Sequence, residues 1–392
     1  MRHGFPAAAL AAAALCGCQQ LPQPVAQAPQ PVAARFTVAS FADIPGWPAD
    51  PVEQTLPALQ AECHRLALLP VDTALGGQGL TQQAGGRAGN WTAPCAAAEA
   101  LEPGDSAGIR LFYQTWFQPY RVETPGLVTG YYEPEVRGSL VQVGAYQTPL
   151  YAHPIDLVQA PPDPGDGNGQ HAVGRIADGQ MVPYWTRAQI EDGALGTAAR
   201  PLFYLADPVD LFFLQIQGAG RIRLPDGSVM RVGYDGKNGR SYTPIGRVLL
   251  ARHALAADDV TMQSIRAWLE AHRDQARAVM DTNEDYVFFR VLTDADSSMG
   301  PPGALGVNLL AGRTAAVDRH AIPLGAPLFI DTTDPVTGRP WQHLVLAQDL
   351  GTDIKGAART DIFLGSGPAA ETQAGHMRQP STEYVLLPRP AA

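Results

Sequence analysis

Apolar runs in the C-terminal third of the chain are short, and each is flanked by an aspartate with a glycine close by. Runs of three or four apolar residues bounded by such residues predict β-strands that end in turns. The three runs are 315–317 beside Asp318, 344–347 beside Asp349, and 362–364 beside Asp361. We therefore expect three carboxylates at strand ends, where a β-scaffold can hold them rigidly in one cleft.

The rest of the pattern predicts strands interrupted by a few helices. Apolar residues at helical spacing, with Asp105 and Thr261 as caps of two segments, predict helices. The predicted helices span 52–68, 105–117, 243–253 and 261–272. The predicted strands span 36–47, 126–133, 207–217, 221–232 as a hairpin, and 283–290, with a surface loop at 161–169.

The composition favours a globular, turn-rich β-protein. A chain of 392 residues suffices for two domains, and 45% hydrophobic against 17% charged residues is not typical of disorder. The 40 glycines and 35 prolines favour turns over long helices. The net charge of -10 argues against a nucleic-acid partner or a cationic membrane-surface patch, so a neutral or zwitterionic polymer fits better.

The aspartates suggest acid catalysis. Cleavage of a glycosidic or peptide bond needs a carboxyl group that is still protonated near neutral pH, and burial or a nearby like charge raises its pKa. Asp349 and Asp361 are candidates for each other's like charge. The alternative interpretation is that each aspartate is a turn residue that bonds its own backbone.

Two segments have side chains suited to a carbohydrate. Strand alternation at Tyr131 and Tyr132 requires only one of them to be buried, so the other is free to stack on a sugar face. Segment 232–242 is dense in amide, hydroxyl and aromatic groups, which match the hydroxyls and apolar faces of sugars. A polar loop that stabilises itself is the alternative.

The N-terminus predicts a lipoprotein. A basic start, an apolar stretch of about nine residues and Leu15-Cys-Gly-Cys18 match a bacterial lipoprotein signal, with residues 1–17 removed and Cys18 lipidated. An ordinary signal peptide cut elsewhere is the alternative. Gln19 after the cysteine predicts a location at the periplasmic face of the outer membrane. Segment 18–35, rich in Pro, Gln and Ala, is predicted to be a tether.

Cys63 and Cys95 remain once the signal is removed and Cys18 carries lipid. In an oxidising periplasm they predict a disulfide, although two buried free thiols stay an alternative. The sequence lacks zinc-site spacings and phosphate loops. We expect no metal and no organic cofactor.

Four motifs occur in order in the chain: Thr129-Gly-Tyr-Tyr-Glu-Pro, Gln215-Ile-Gln-Gly-Ala-Gly, Tyr234-Asp-Gly-Lys-Asn-Gly-Arg-Ser-Tyr and the three-aspartate region 305–388. Together, from about residue 36 onward, they resemble the membrane-bound lytic murein transglycosylase A family. The resemblance implies a mainly β fold. It comprises a double-psi β-barrel from 36–130 and 289–388, an inserted β-barrel from 131–288, and a groove between them for a peptidoglycan strand.

The resemblance also implies residue roles. Asp361 falls on the catalytic acid, and Asp349 and Asp318 on the family's other two aspartates. The implied saccharide contacts are Thr129, Gly130, Tyr131, Tyr132, Gln217, Gly218, Lys237 and Asn238. Asp353 departs from the family, which usually has a small residue there, so it either raises the pKa of its neighbours or faces solvent.

The implied reaction cleaves the β-1,4 bond between N-acetylmuramic acid and N-acetylglucosamine without water. Asp361 alone would act as acid and then as base, leaving a 1,6-anhydromuramoyl end, in cell wall turnover. The implied partners are glycan strands, the outer membrane through the lipid, and a cell-wall synthesis complex. Endo or exo cleavage, stem-peptide preference and protein partners stay open.

Two rival functions also fit parts of the sequence. The Asp349-Leu-Gly-Thr segment faintly resembles the loop of an aspartic protease, but Leu350 replaces its hydroxyl residue and no second copy occurs. A non-catalytic murein-binding outer-membrane lipoprotein is the stronger rival, although the presence of all three aspartates argues against it.

Overall fold

The computed structural model describes Met1 and residues 34–160, 172–293 and 299–390. The expected signal peptide, Cys18, nearly all of the tether and the loop at 161–169 lie outside the described residues. Within those ranges, no helix has both the length and the apolar character needed to cross a membrane.

The described residues form strands β1 to β17 and helices α1 to α10. The strands are β1 Phe36–Val38, β2 Phe117–Val122, β3 Gly126–Glu133, β4 Glu135–Ser139, β5 Thr148–Tyr151, β6 Val158–Gln159, β7 Val173–Ala177, β8 Gln180–Pro183, β9 Pro201–Leu205, β10 Ala219–Arg223, β11 Val229–Lys237, β12 Val287–Leu292, β13 Thr314–Val317, β14 Pro327–Thr333, β15 Pro340–Leu350, β16 Arg359–Ser366 and β17 Arg378–Pro388. The helices are α1 Leu56–Ala67, α2 Leu80–Gly85, α3 Thr92–Ala98, α4 Ser106–Trp116, α5 Arg187–Glu191, α6 Pro208–Gln217, α7 Ile245–Ala251, α8 Met262–Ala271, α9 Arg273–Met280 and α10 Pro368–His376.

Six strands close into a first barrel. Their order is β3, β16, β13, β15, β14 and β17, and β17 pairs with β3 to complete the ring. Strand β3 runs parallel to β16 and β13 parallel to β15, whereas the other neighbours are antiparallel. The ring thus joins one strand from the first third of the chain to the three-aspartate region. The expected mainly β fold with a barrel is confirmed.

An aromatic core lies where helices α1 to α4 pack against this barrel. The ring of Trp47 lies 6.3 Å from that of Tyr113 and 5.8 Å from that of Phe329. Cys63 of α1 and Cys95 of α3 are joined by a disulfide. The bond ties two helices together beside the strands that carry the aspartates.

A second sheet follows β3 in the chain. Its order is β12, β11, β10, β4, β9 and β5, and a bridge between Ala152 and Phe289 brings its two edges together. The buried Glu133 carboxylate at the end of β3 pairs with Arg221 at 3.1 Å and with Arg231 at 2.7 Å. These ion pairs fix the second barrel to the first.

The strand predicted at 207–217 is wrong, because this segment is helix α6. Asp207 caps the helix by accepting a hydrogen bond from Val209 N at 2.9 Å, and a proline occupies its first position. One side of α6 packs into the core of the second barrel and the other into a cluster with α7 to α9. Because both sides are apolar, the segment lacks the helical period and resembles a buried strand.

Most other elements are confirmed with shifted ends. Asp105 and Thr261 cap α4 and α8 as predicted. The strand expected over 36–47 stops at Val38, and short 3-10 turns follow it. The strand expected over 283–290 begins only at Val287.

Candidate active site

Strands β15 and β16, which both pair with β13, bring two aspartates onto one face of the first barrel. Across the sheet, Asp349 is paired with Ala316, Ala316 with Asp361, and Asp361 with Thr129. Side chains of directly paired residues point to the same face. Asp349 and Asp361 therefore share a face, with their backbones about 10 Å apart because one strand lies between them.

Asp361 has the environment of an acid that is protonated close to neutral pH. Its Oδ1 accepts a hydrogen bond from Thr129 Oγ1 at 2.6 Å, and Arg359 Nη1 donates to the same Thr129 oxygen at 2.9 Å. Burial raises the pKa of Asp361 to about 6, against the lowering effects of Thr129 and Arg359. The negative charge of Asp349 adds a smaller increase, so the expected like-charge effect is present but secondary to burial.

Asp349 is held on both oxygens. Its Oδ2 accepts from the Tyr131 hydroxyl at 2.8 Å, and its Oδ1 accepts from Ala304 N at 2.9 Å. Burial raises the pKa of Asp349, and these hydrogen bonds oppose that effect. Tyr131 also packs against Phe363 with ring centroids 5.4 Å apart. Asp349 thus fixes the tyrosine beside Asp361.

Asp318 lies in the turn after β13 and belongs to a different network. Its Oδ1 accepts from the backbone N and Nδ1 of His320, each at 3.0 Å, and its Oδ2 accepts from Gly356 N at 2.7 Å. Burial works against ionisation, but these hydrogen bonds and the His320 charge hold the pKa of Asp318 below its usual value. Asp318 is therefore an ionised anchor for the loop between β15 and β16.

The two adjacent tyrosines have different surroundings, as strand alternation requires. Tyr132 is 4% exposed, and its hydroxyl donates to Glu371 Oε1 at 3.2 Å. Its backbone N donates to Gln217 Oε1 at 3.1 Å, which docks the end of α6 on β3. Tyr131 is half-buried on the face of Asp361. Of the pair, Tyr131 is the one that a ligand in the groove can reach.

Two of the implied saccharide contacts are glycines with structural requirements of their own. A Cβ on Gly130 would lie 2.5 Å from Leu364 Cδ1 and 3.1 Å from Ala374 Cα, so a side chain there would displace α10. Gly218 ends α6 with φ of 77°, a left-handed conformation that favours glycine.

Lys237 reaches from the second barrel to the first. Its Nζ lies 3.3 Å from Thr352 Oγ1, in the loop after β15, and 3.8 Å from Asp285 Oδ1. Asp285 is 7% exposed, and among the described residues its Oδ1 has no hydrogen-bond partner. Lys237 therefore spans the space between the barrels with an acidic partner behind it.

Asn238 is 0% exposed. Its Nδ2 donates to Trp185 O at 2.9 Å and to Glu284 O at 2.8 Å, and its Oδ1 accepts from Tyr286 N at 3.0 Å. The structure thus encloses Asn238 just after β11, where its Oδ1 also accepts from Arg240 N and shapes the loop that follows Lys237.

This loop carries Tyr242 towards the aspartates. Burial raises the pKa of Tyr242, and the charges of Asp353, Asp285 and Asp361 raise it further, to about 12. Asp353 is exposed in the loop after β15. Asp353 is thus exposed, and its charge contributes to the raised pKa of Tyr242.

Sequence reasoning missed Arg359, Ala304 and Asp285 as parts of this arrangement. The spacing of Arg359 and Asp361 along β16 was a usable signal, because residues two apart in a strand share a face. The amide of Ala304 offered none, since it lies 45 residues before Asp349 in the chain.

The arrangement is suited to acid catalysis in an open groove. One half-buried carboxyl group, Asp361, has a pKa near 6 and shares its face of the first barrel with the fixed Tyr131, and its charge raises the pKa of Tyr242 in the loop after β11. Within the described ranges, no cluster of three or more His, Cys, Asp or Glu side chains has the geometry of a metal site.

Comparisons of the sequence with known proteins give consistent matches. Residues 127–290 match the family model described as MltA specific insert domain, and residues 313–387 match the one described as 3D domain. The membrane-bound lytic murein transglycosylase A of Escherichia coli K12 is 32% identical over 299 residues, which cover 74% of this chain and 73% of the relative.

Solved structures agree with these matches. A membrane-bound lytic murein transglycosylase from Agrobacterium tumefaciens is 33% identical with a TM-score of 0.80, covering 90% of this chain and 98% of its own. The lytic transglycosylase LtgG of Burkholderia pseudomallei is 40% identical with a TM-score of 0.56, covering 92% and 97%. Escherichia coli MltA with bound chitohexaose is 26% identical with a TM-score of 0.64, covering 91% and 95%.

Proposed function

Because the chain belongs to the membrane-bound lytic murein transglycosylase A family, we propose that it cleaves the β-1,4 bond between N-acetylmuramic acid and N-acetylglucosamine in peptidoglycan. The product carries a 1,6-anhydromuramoyl end. The observation that supports this most strongly is Asp361, a half-buried carboxyl group with a pKa near 6 on the groove face.

The proposed reaction uses Asp361 twice. The protonated carboxyl group donates its proton to the glycosidic oxygen as the bond from C1 of N-acetylmuramic acid to that oxygen breaks. The resulting carboxylate then accepts the proton of the C6 hydroxyl as O6 bonds to C1. The nucleophile is already tethered to the ring, so proximity replaces an enzyme nucleophile or an activated water.

Hydrolysis is the alternative chemistry for the same groove. A hydrolase needs a second carboxylate to activate water or to attack C1, and Asp349 is the candidate on this face. Both Asp349 oxygens already accept hydrogen bonds, from Tyr131 and Ala304. This engagement favours a positioning role for Asp349 and the anhydro product.

We also propose how the glycan is held. Tyr131 offers a half-buried ring beside Asp361, and Lys237 an ammonium group between the barrels. Gly130 and Gly218 allow close backbone approach, Thr129 and Gln217 orient β3, and Asn238 and Tyr132 support these residues from buried positions. A relative with bound chitohexaose supports a saccharide in this fold.

The proposed location is the periplasmic face of the outer membrane, through lipid on Cys18. The relatives are named membrane-bound, which supports membrane association. A Cys18→Ser variant should appear as soluble protein or as uncleaved precursor, because it lacks the acyl chains that anchor it. Sedimentation of the variant with outer membranes, as for the wild type, would refute this location.

Purified sacculi test the proposed activity. The protein should lower their turbidity and release muropeptides that mass spectrometry identifies as 1,6-anhydro species. Asp361→Asn is the matched inactive control. Products with reducing muramic acid ends would make the enzyme a hydrolase, and binding without any release would favour the non-catalytic lipoprotein.

A further inference from the structure

A chain of hydrogen bonds runs from Arg359 through Thr129 to Asp361. Arg359 Nη1 donates to Thr129 Oγ1 at 2.9 Å and to the carbonyl oxygen of Thr360 at 3.0 Å. Thr129 Oγ1 donates to Asp361 Oδ1 at 2.6 Å. Arg359 and Asp361 are both half-buried and lie on the same face of β16.

The direction of these hydrogen bonds follows from the chemistry of the groups. A guanidinium can only donate, so the Thr129 oxygen must accept from Arg359. Among the residues that the structure describes, the Thr129 hydroxyl has only these two partners, so its own proton points to Asp361 Oδ1. Oδ1 is therefore an acceptor, and the acidic proton of Asp361 belongs on Oδ2.

The Oδ2 atom is the accessible oxygen of Asp361. Across the described part of the chain it has no hydrogen-bond partner, and it is not among the enclosed unpartnered oxygens. A proton on Oδ2 is thus available to a bound glycosidic oxygen. A proton on Oδ1 would be held by Thr129 instead.

We propose that Arg359 is a positioning residue that directs the proton of Asp361 to the oxygen facing the glycan. The inference rests on the proposed function for the identity of the reaction. Arg359 acts through Thr129 and has no need to touch the substrate. Without its donor, the Thr129 hydroxyl can rotate and accept a proton from Oδ1, which removes that proton from the leaving oxygen.

The charges around Asp361 give this role a second signature. Its charged and titratable neighbours come from several elements: Arg359 on β16, Asp349 on β15, Tyr131 on β3, Tyr242 in the loop after β11, and the exposed Arg378 of β17 that pairs with Thr129 in the sheet. Arg359 lowers the pKa of Asp361. Loss of its charge should therefore raise that pKa and keep the acid protonated to higher pH.

Two substitutions of Arg359 separate its donor from its charge. Arg359→Met removes both, so kcat at the optimum should fall roughly tenfold, as for one lost hydrogen bond, with KM unchanged. The alkaline limb of the pH profile should move to higher pH. Arg359→Gln removes only the charge, so it should move the limb in the same direction while kcat stays within about threefold of the wild type. Arg359→Lys retains the charge and a donor, so the alkaline limb of its pH profile should lie at the same pH as that of the wild type.

Arg339→Met is the matched control, because Arg339 is an exposed arginine on the hairpin between β14 and β15. It should leave kcat and the pH profile unchanged. A fall in kcat for Arg359→Met with an unmoved alkaline limb would make Arg359 merely structural and overturn the proposal. Thermal unfolding of each variant shows whether it is folded, and Arg359→Gln carries the test if Arg359→Met is not.

A double-mutant cycle tests the route through Thr129. Thr129→Val removes the hydroxyl with little change in shape, and in that background Arg359→Met should cause no further fall in kcat. Independent, additive losses would overturn the proposal. Carboxyl NMR titration of Asp361 without substrate measures its pKa whatever the activity. If the wild type released no anhydro product, the proposed function would be refuted. The titration would still decide whether Arg359 lowers the pKa of Asp361.

Discussion

Carboxyl groups in two regions of the molecule are perturbed by burial in the same direction, yet they differ in access. On the groove face, burial raises the pKa of Asp361 to about 6. Inside the first barrel and its packed helices, burial raises the pKa of Glu383 to about 7 and that of Glu62 to about 8. The two glutamates are 1% and 0% exposed, whereas Asp361 is half-buried with Oδ2 open.

The largest perturbation therefore does not identify the catalytic acid. Glu383 accepts hydrogen bonds from Thr360 at 2.7 Å and Ser381 at 3.0 Å, and Glu62 accepts one from Gln348 at 2.8 Å. Enclosed in this way, neither can deliver a proton to a glycan. A raised pKa indicates a functional site only when the group also faces one.

Asp361→Asn should have the largest effect on turnover. The amide keeps the shape and the hydrogen bond from Thr129 but has no transferable proton, so the rate should fall by about 10² to 10⁴-fold or more. Binding to sacculi should persist. Release of anhydro-muropeptides measures the rate, and cosedimentation measures the binding.

Glu383→Gln is the counterpart from the enclosed group, and it should keep near-normal turnover at pH 5. Both variants exchange one perturbed carboxyl group for an amide of the same size. Equal losses in the two would show that access does not distinguish these carboxyl groups.

Asp349→Asn should have the next largest effect, roughly a tenfold loss, because Tyr131 can still donate to the amide oxygen. The wild-type rate should decline above about pH 6 as Asp361 ionises. The charge of Asp349 raises the pKa of Asp361, so its removal should move this decline to lower pH. Rates measured from about pH 4 to about pH 8 record both the decline in the wild type and its shift in Asp349→Asn. If Asp349→Asn were more damaging than Asp361→Asn, Asp349 would have to be the acid.

The sequence identified the groove carboxylates but not the enclosed ones. Strand-end aspartates beside glycines form a local pattern, and strand alternation gave the different burial of Tyr131 and Tyr132. Nothing local distinguishes Glu62, which lies on α1 and acquires its environment from Gln348, 286 residues further along the chain. Burial by distant segments is a property of the fold and leaves no mark near the residue.

Helix α6 shows the same limit for secondary structure. Its length and the glycines after it fit a strand as well as a helix, and the two cores on opposite sides made the run from Leu211 to Leu214 continuously apolar. The Asp207-Pro208 start is the signal that could have decided in favour of a helix. Asn238 is similar, since its motif implied a ligand contact whereas the fold encloses it.

Asp318→Asn should have a smaller effect on turnover, of about a few-fold, and should act mainly on stability. The folded-state pKa of Asp318 is lowered, so its contribution is present above the unfolded value near 3.8 and is lost as pH falls through the lower folded value. The variant should lose about 1 to 2 kcal/mol at pH 7 and less at an acidic pH below 3.8. Denaturant unfolding at both pH values measures this, with the exposed Asp353→Asn, in the loop that Asp318 anchors, as control. Equal losses at both pH values would contradict the assignment.

Glu62→Gln should have the smallest effect on turnover, none at the acidic optimum, while changing how stability depends on pH. The folded-state pKa of Glu62 is raised from 4.5 to about 8, so its contribution is fully present below about 4.5 and is lost as pH rises through about 8. The amide resembles the protonated acid and cannot ionise in the core. The variant should therefore match the wild type at low pH and exceed it in stability at pH 9, a value taken about one unit above the folded pKa. Unfolding free energies at several pH values test this, with the exposed Glu102→Gln as control. Ionisation of Asp361 and Glu383 affects the pH dependence of the unfolding free energy equally in wild type and variant. Only the difference between the two curves therefore reports on Glu62. Identical slopes would mean that Glu62 is ionised in the folded protein, and its enclosure would then no longer explain why this carboxyl group stays out of catalysis.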